Sequence, residues 1–380
     1  MTRWLQTTVA APLLVAAGGL AGGWHAAAQG PAATEDDLTR VPGATWTAVK
    51  PESIGYSSPR LESLRSWLKT LDTKAMLIVV HGQVIFEYGD LAHASKVASV
   101  RKSVLSMLYG PYILSGRIDP RKTVVEMGLE EAEPFLPLER NATLEHLLTA
   151  RSGIYLKSGN DGLDAVAPKR GSEYPGTRMQ YNNWDFNAAG TAFEKLSGKT
   201  IYQALEEDLA RPLGMQDFDR AKQVKVPSPG SVHPEYVMRL STRDLARLGL
   251  LMLRHGRWRD AQVLPDQWVR WSTTMITPFA RVHPTGLSVG GQPDRWGYGV
   301  MWWVWEEPMF PGGASTGPLQ GAFTAMGAGG QYVTVLPAED MVVVHTTDID
   351  ANGAADVPSM AYDAVLAMAI MSRCQSKDRC

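Results

Sequence analysis

Ser99 and Lys102 stand three positions apart in the stretch ASVRKSVLSMLYG, residues 98–110. On a helix, side chains at this spacing are neighbours, with Cβ atoms about 5–6 Å apart. A serine hydroxyl is a poor nucleophile until a nearby base removes its proton. A lysine can be that base only if burial or neighbouring charges bring its pKa down towards roughly 7–8. Because Val100 and Val104 make the surroundings apolar, we expect Ser99 to be a nucleophile and Lys102 its base.

A second Ser-x-x-Lys tetrad, Ser66 to Lys69, lies in SPRLESLRSWLKTLD. Leucines recur there at helical spacing, which predicts a short amphipathic helix. Its leucine stripe consists of Leu61, Leu64, Leu68 and Leu71. Ser66 and Lys69 lie off that stripe, so we interpret this tetrad as a solvated helix face.

Tyr181 and Asn183 form a second candidate group, in PGTRMQYNNWDFNAAG. A tyrosine beside a lysine can relay a proton between nucleophile and leaving group, and an asparagine amide can orient an acyl substrate. The alternative is a structural role, in which an asparagine caps the start of a helix.

Glycines precede a predicted strand in AMGAGGQYVTVLP, residues 325–337. The run Gly327-Ala328-Gly329-Gly330 lets the backbone approach a ligand closely and offers N–H donors. Together with the N–H of Ser99, these donors could form an oxyanion hole. The alternative is a tight turn or bulge before an edge strand. A dinucleotide-binding loop is disfavoured, because the glycines precede a strand and lack the Gly-x-Gly-x-x-Gly spacing.

A competing nucleophile is Ser288, in the sequence Gly286-Leu287-Ser288-Val289-Gly290, with His345 as its base. A Gly-x-Ser-x-Gly elbow must follow a strand and open a helix, whereas loop residues flank this one on both sides. We therefore disfavour it. No histidines pair at i, i+4 on a helix, so we expect no metal site and no cofactor.

The first residues are typical of an export signal. MTRWLQ is cationic, VAAPLLVAAGGL is apolar, and Ala26-Ala27-Ala28 is a small-residue cleavage site. We predict a signal peptide over residues 1–28 and a periplasmic or secreted protein with no transmembrane span in the mature chain; a retained anchor is the alternative. The net charge of −2 gives no basic footprint for nucleic acid. The two cysteines, Cys374 and Cys380, either close a small terminal loop or remain free thiols.

The order of predicted elements indicates an α+β fold. A β-hairpin over 76–88 and strands near 297–305 and 331–346 should share one antiparallel sheet, because strands from the two ends of the chain have no other partners. Residues 99–290 are mostly helical, and a last helix follows in MAYDAVLAMAIM. We expect a sheet lobe built from 45–97 and 296–380 and a helical lobe of 98–295. The site should lie at the seam between them.

Taken in order, these motifs resemble the β-lactamase and penicillin-binding-protein superfamily. The resemblance is to its class C-related branch of esterases, DD-peptidases and 6-aminohexanoate-dimer hydrolases. The supporting phrases run from about residue 55 to 350 and are SVRKS, SGRIDP, LEHLLTARSGI, YPGTRMQYNN, RPLGM, LSTRDLARLGLLML, GYGVMWW and GQYVTVLPAEDMVVV. The resemblance implies an antiparallel sheet flanked by helices. It also implies a serine hydrolase that acts through an acyl-enzyme on Ser99, with Lys102 and Tyr181 as proton-transfer groups and Asn183 as a substrate contact.

The third family motif, usually Lys/His-Thr/Ser-Gly, falls on Ala325-Met326-Gly327, where only the glycine is kept. The resemblance then makes the N–H of Ala328 the second oxyanion donor. The missing charge and hydroxyl favour a small-molecule ester, linear amide or peptide-like substrate over efficient β-lactam hydrolysis. A true β-lactamase or DD-peptidase and a non-catalytic penicillin-binding-like scaffold remain alternatives. Intact Ser99, Lys102 and Tyr181 argue against the scaffold.

Overall fold

A computed structural model describes residues 40–159, 161–283, 295–306, 317–351 and 353–374. The predicted signal peptide, the Ser288 elbow and Cys380 lie outside these described residues. Export therefore stays a prediction.

Seven strands form one sheet in the order β2-β1-β13-β12-β11-β10-β9, and every neighbouring pair is antiparallel. Short two-stranded pairs join β3 to β6, β4 to β5 and β7 to β8. The strands are β1 (Ala75–Val80), β2 (Gln83–Gly89), β3 (Ala94–Lys96), β4 (Val224–Val226), β5 (Glu235–Val237), β6 (Arg239–Ser241), β7 (Arg257–Trp258), β8 (Ala261–Gln262), β9 (Trp296–Tyr298), β10 (Trp303–Trp305), β11 (Phe323–Gly327), β12 (Gln331–Leu336) and β13 (Met341–Thr346).

The helices lie mainly between β3 and β9. They are α1 (Ser58–Leu68), α2 (Val100–Leu114), α3 (Leu144–Leu148), α4 (Asp161–Asp164), α5 (Asn183–Ser197), α6 (Ile201–Ala204), α7 (Arg211–Leu213), α8 (Thr242–Leu253), α9 (Asp266–Ser272) and α10 (Ser359–Met371). A π-helical segment, Leu205–Ala210, joins α6 to α7.

Helix α8 packs on the face of the sheet at very short range. A Cβ added at Gly249 would lie 2.6 Å from Val342 Cγ1 on β13 and 3.1 Å from Val333 Cγ1 on β12. Glycine at this position therefore lets the helix backbone approach the sheet. Ser241 caps the helix by accepting a hydrogen bond of 3.2 Å from the Asp244 N–H.

The predicted α+β fold is confirmed: the hairpin and the late strands share one antiparallel sheet. Three of the four leucines of the predicted stripe, Leu61, Leu64 and Leu68, are buried on α1. Leu71 is half-buried and lies three residues beyond the end of the helix. The three short strand pairs, β3–β6, β4–β5 and β7–β8, were not predicted. The division into a sheet lobe and a helical lobe remains a prediction. Within the described ranges, no helix has both the length and the apolar composition needed to cross a membrane.

Candidate active site

A sharp turn between β3 and α2 presents Ser99. The Val97 N–H donates to Met238 O at 3.0 Å, which holds the chain against β6. Ala98 then adopts a φ of 45°, in the left-handed region that non-glycine residues rarely occupy. Ser99 follows as the N-cap residue of α2 and is half-buried. Such local strain is common at functional sites, where the surrounding packing enforces it.

Lys102 connects Ser99 to Tyr181, although Tyr181 is far along the chain. The lysine Nζ lies 2.6 Å from Ser99 Oγ and 2.9 Å from the Tyr181 hydroxyl. Its side chain is only 2% exposed. The Nζ also lies over the rings of Tyr181 and Phe186, at 4.7 and 4.9 Å from their centroids. The structure therefore brings together the three residues that the sequence singled out.

Burial shifts the pKa of both titratable groups of this cluster in the direction that favours their uncharged forms. It lowers the pKa of Lys102 well below its ordinary value, and the positive charge of Arg101 lowers it further. Glu235 opposes this shift. Burial also raises the pKa of Tyr181 to about 12, although the Ser99 hydroxyl works in the other direction. The arrangement thus places an amine with a lowered pKa between two hydroxyl groups.

The end of β11 lies directly against the Ser99 turn. A Cβ built on Gly327 would lie 2.6 Å from Val97 O and 3.1 Å from Ser99 N. Ala328, the next residue, is exposed. Within the described part of the chain, neither the Ser99 N–H nor the Ala328 N–H donates a hydrogen bond to a backbone carbonyl. Two N–H groups from different elements thus remain available near one hydroxyl group.

The two adjacent asparagines have different roles. Asn182 is the N-cap of α5, where its Oδ1 accepts from the Asp185 N–H at 2.8 Å. The capping alternative therefore applies to Asn182 and not to Asn183. Asn183 is half-buried, and its Oδ1 is a buried atom with no hydrogen-bond partner in the described structure. A buried amide oxygen without a partner is available to accept a hydrogen bond from another group.

Aromatic residues of β9 and β10 pack beside Tyr181. Trp303 stacks on the tyrosine ring with centroids 5.6 Å apart and planes at 28°. Tyr298 meets the same ring edge-on at 6.0 Å. Trp184, by contrast, lies in the core with its Nε1 donating to Glu131 at 2.9 Å. Of the tryptophans, Trp303 is therefore the one that stacks on the Tyr181 ring.

Sequence reasoning missed Arg101, which is only 2% exposed. Its guanidinium donates to Asn187 Oδ1 at 2.9 Å, lies 3.5 Å from Glu235 and stacks over the Tyr236 ring at 4.2 Å. The sequence did contain a signal for this residue: Arg101 directly precedes Lys102, the predicted base. A positive charge at that position must act on the pKa of the neighbouring lysine. Helical spacing alone could not predict that Arg101 would be buried.

The competing assignments find no support among the described residues. Ser66 and Lys69 are exposed on α1, and the Ser66 hydroxyl donates to Glu62 O at 3.0 Å. His345 is buried in β13, where its ring nitrogens contact Thr73 and Gly330 O. No group of three or more His, Cys, Asp or Glu residues in the described ranges could hold a metal ion.

Comparisons with known proteins identify the family to which the chain belongs. The profile of the beta-lactamase family matches residues 71–367. A 6-aminohexanoate-dimer hydrolase from Paenarthrobacter ureafaciens is 24% identical over 315 residues, which cover 75% of each chain. A solved beta-lactamase from Mycobacterium bovis matches with a TM-score of 0.55 and 22% identity, over 82% of this chain and 99% of that one.

A penicillin-binding protein homologue from Caulobacter crescentus has a TM-score of 0.57 and 16% identity, over 84% and 99% of the two chains. At these identities the solved structures show the shared fold, and the profile, which spans most of the chain, shows the family. The protein therefore belongs to the beta-lactamase family of hydrolases and is related to 6-aminohexanoate-dimer hydrolase.

Proposed function

We propose that the protein is a serine hydrolase that cleaves an ester or a linear amide through an acyl-enzyme on Ser99. The observation that carries this proposal is the position of Lys102 Nζ, buried and within hydrogen-bond distance of both Ser99 Oγ and the Tyr181 hydroxyl. A neutral amine in this position can accept the serine proton.

In the proposed reaction, Ser99 Oγ attacks the substrate carbonyl carbon while its proton passes to Lys102 Nζ. The N–H groups of Ser99 and Ala328 stabilise the negative oxygen of the tetrahedral intermediate. As the intermediate collapses, Tyr181 donates its proton to the leaving nitrogen or oxygen and regains one from Lys102. Water then attacks the acyl-enzyme with the same groups used in reverse, which releases the acid and restores Ser99.

Asn183 is proposed to hold the acyl portion of the substrate. Its half-buried amide carries an unpartnered Oδ1, and the neighbouring Asn182 already caps α5. An amide side chain offers both donors and an acceptor, so it can bind a substrate amide group in one orientation.

A fluorophosphonate probe followed by mass spectrometry tests this assignment. We expect one adduct, on Ser99, that disappears in Ser99→Ala and persists in Ser66→Ala, the matched control from the second tetrad. An adduct on Ser288 or Ser66 contradicts the assignment. A folded protein that forms no adduct would favour the non-catalytic scaffold.

We further propose that the chain is exported, on the strength of its N-terminal pattern. A disulfide bond between the two cysteines of the chain, Cys374 and Cys380, would fit an oxidising compartment. N-terminal sequencing of the protein from the producing cells should begin near Gln29. A sequence that begins at Met1 or Thr2 would contradict this proposal.

A further inference from the structure

A cavity of about 270 Å³ lies beside the segment that leads to Tyr181. Arg178 and Met179 form part of its wall, and Tyr181 follows two residues after Met179. The wall of the cavity also includes His283, whose carbonyl accepts a hydrogen bond of 2.6 Å from the Tyr181 N–H. The cavity thus shares structural elements with the proposed active site.

Positive charge dominates the lining of this cavity. Among the described lining residues, Arg151, Arg178 and Arg281 contribute three guanidinium groups, and Glu173 contributes one carboxylate. Arg151 donates to Gly176 O, which fixes its side chain. In the part of the chain that the structure describes, no carboxylate forms an ion pair with Arg178 or Arg281.

Polar atoms around the cavity are also buried without partners. Arg178 Nε is one such atom within the described structure. The Tyr155 hydroxyl is another, and the charges of Arg178 and Glu173 both act on the pKa of Tyr155. Buried donors of this kind are normally satisfied, so an acceptor in the cavity could pair with Arg178 Nε.

From this geometry we infer that the cavity is a subsite for a carboxylate at the far end of a linear substrate. Guanidinium groups bind carboxylates through paired, charge-assisted hydrogen bonds. The inference rests on the proposed function and specifies its substrate class. The cavity also provides the positive charge that Ala325 and Met326 cannot offer on β11.

Paired substrates test this subsite. The p-nitrophenyl monoesters of linear dicarboxylic acids place a carboxylate on the acyl side, and the matching n-alkanoate esters lack it. N-hexanoyl-6-aminohexanoate and its primary amide form the equivalent pair on the leaving-group side. For at least one pair and chain length, we expect kcat/KM to favour the anionic member by about tenfold or more.

Arg178→Gln should reduce that ratio towards one, since glutamine keeps a polar side chain without the charge. Arg178→Lys should retain part of the ratio. Arg121→Gln is the control, because that arginine is 83% exposed and pairs with Asp119 outside the cavity. Arg281→Gln replaces Arg178→Gln if the latter does not fold, as judged by circular dichroism.

The outcomes separate the subsite from the chemistry. Equal kcat/KM within every pair, or a preference that survives in both glutamine variants, overturns the subsite but leaves the serine mechanism standing. Absence of Ser99-dependent hydrolysis for all of these substrates overturns both.

Discussion

A lysine amine buried among aromatic rings can accept a proton only while it is neutral. Arginine keeps the charge and reach of Lys102 but cannot become a base near neutral pH. We expect Lys102→Arg to lower kcat by about 10²–10⁴-fold, the usual contribution of a general base. Steady-state kinetics on a p-nitrophenyl ester measures this effect, with circular dichroism to verify the fold. Lys69→Arg, in the exposed tetrad, is the matched control. Turnover of Lys102→Arg within about tenfold of the parent would mean that Lys102 is structural.

The charges that flank Lys102 should move its titration in opposite directions. Arg101 lowers the lysine pKa and Glu235 raises it. The proposed mechanism requires neutral Lys102, so we expect activity to fall as the pH drops through this pKa. Arg101→Gln should move the acidic limb of the kcat/KM profile to higher pH, because the lysine becomes easier to protonate.

Glu235→Gln should move the same limb to lower pH. A profile measured from pH 4 to 10 on an ester with a pH-insensitive leaving group checks both variants. Shifts of the same sign would show that the acidic limb belongs to another group. A limb that neither variant moves would show the same.

At the scale of elements, the site depends on how closely β11 approaches the start of α2. In Gly327→Ala, the new Cβ would meet Val97 O at 2.6 Å, so the strand end and the Ser99 turn must separate. Displacement of an oxyanion donor by about 1 Å can cost about 100-fold in rate. We expect kcat to fall on that order while the protein stays folded.

Gly317→Ala is the control for this substitution, since a Cβ there has no atom of the described residues within 4 Å. Ester kinetics compares the two variants. Normal turnover in Gly327→Ala would show that the Ala328 N–H is not the second oxyanion donor.

Regular periodicity made several elements predictable from the sequence. The leucine spacing predicted α1, and the apolar run MAYDAVLAMAIM predicted the last helix, α10. The pairs β4–β5 and β7–β8 escaped prediction because strands of two or three residues are too short to show an alternating pattern. The close contact between Gly249 and the sheet escaped it too, since it depends on which strands lie opposite.

At the site too, the sequence predicted contacts between residues close in the chain but not contacts between distant ones. The spacing of Ser99 and Lys102 indicated that they would be neighbours, and the structure places them so. Their catalytic roles remain predictions. The burial of Arg101 and the basic cavity depend on contacts between residues far apart in the chain, such as Arg101 with Asn187. Local patterns carry no information about such contacts.

At the scale of the whole molecule, the wall of the site on β11 determines which anionic substrates it can hold. Ala325 is buried and Met326 half-buried there, and neither offers a charge or a hydroxyl. In a cephalosporin, the carboxylate lies within a few bonds of the reacting amide, so it would lie beside the reacting centre and not at the far end of a linear chain. We expect short-chain esters, or a linear amide such as an aminohexanoate dimer, to have higher kcat/KM than a chromogenic cephalosporin. A preference for the cephalosporin would identify the protein as a β-lactamase.

The order of strands also has a consequence for biosynthesis. β1 pairs with β13, which is made about 260 residues later, and β11 with Gly327 is made almost as late. At typical synthesis rates of about 5–20 residues per second, tens of seconds separate these strands. The nascent chain therefore carries Ser99 and Lys102 long before the sheet can close beside them. A ribosome-bound chain that ends before β11 should be inert towards esters, and hydrolysis should begin only when the last strands have emerged.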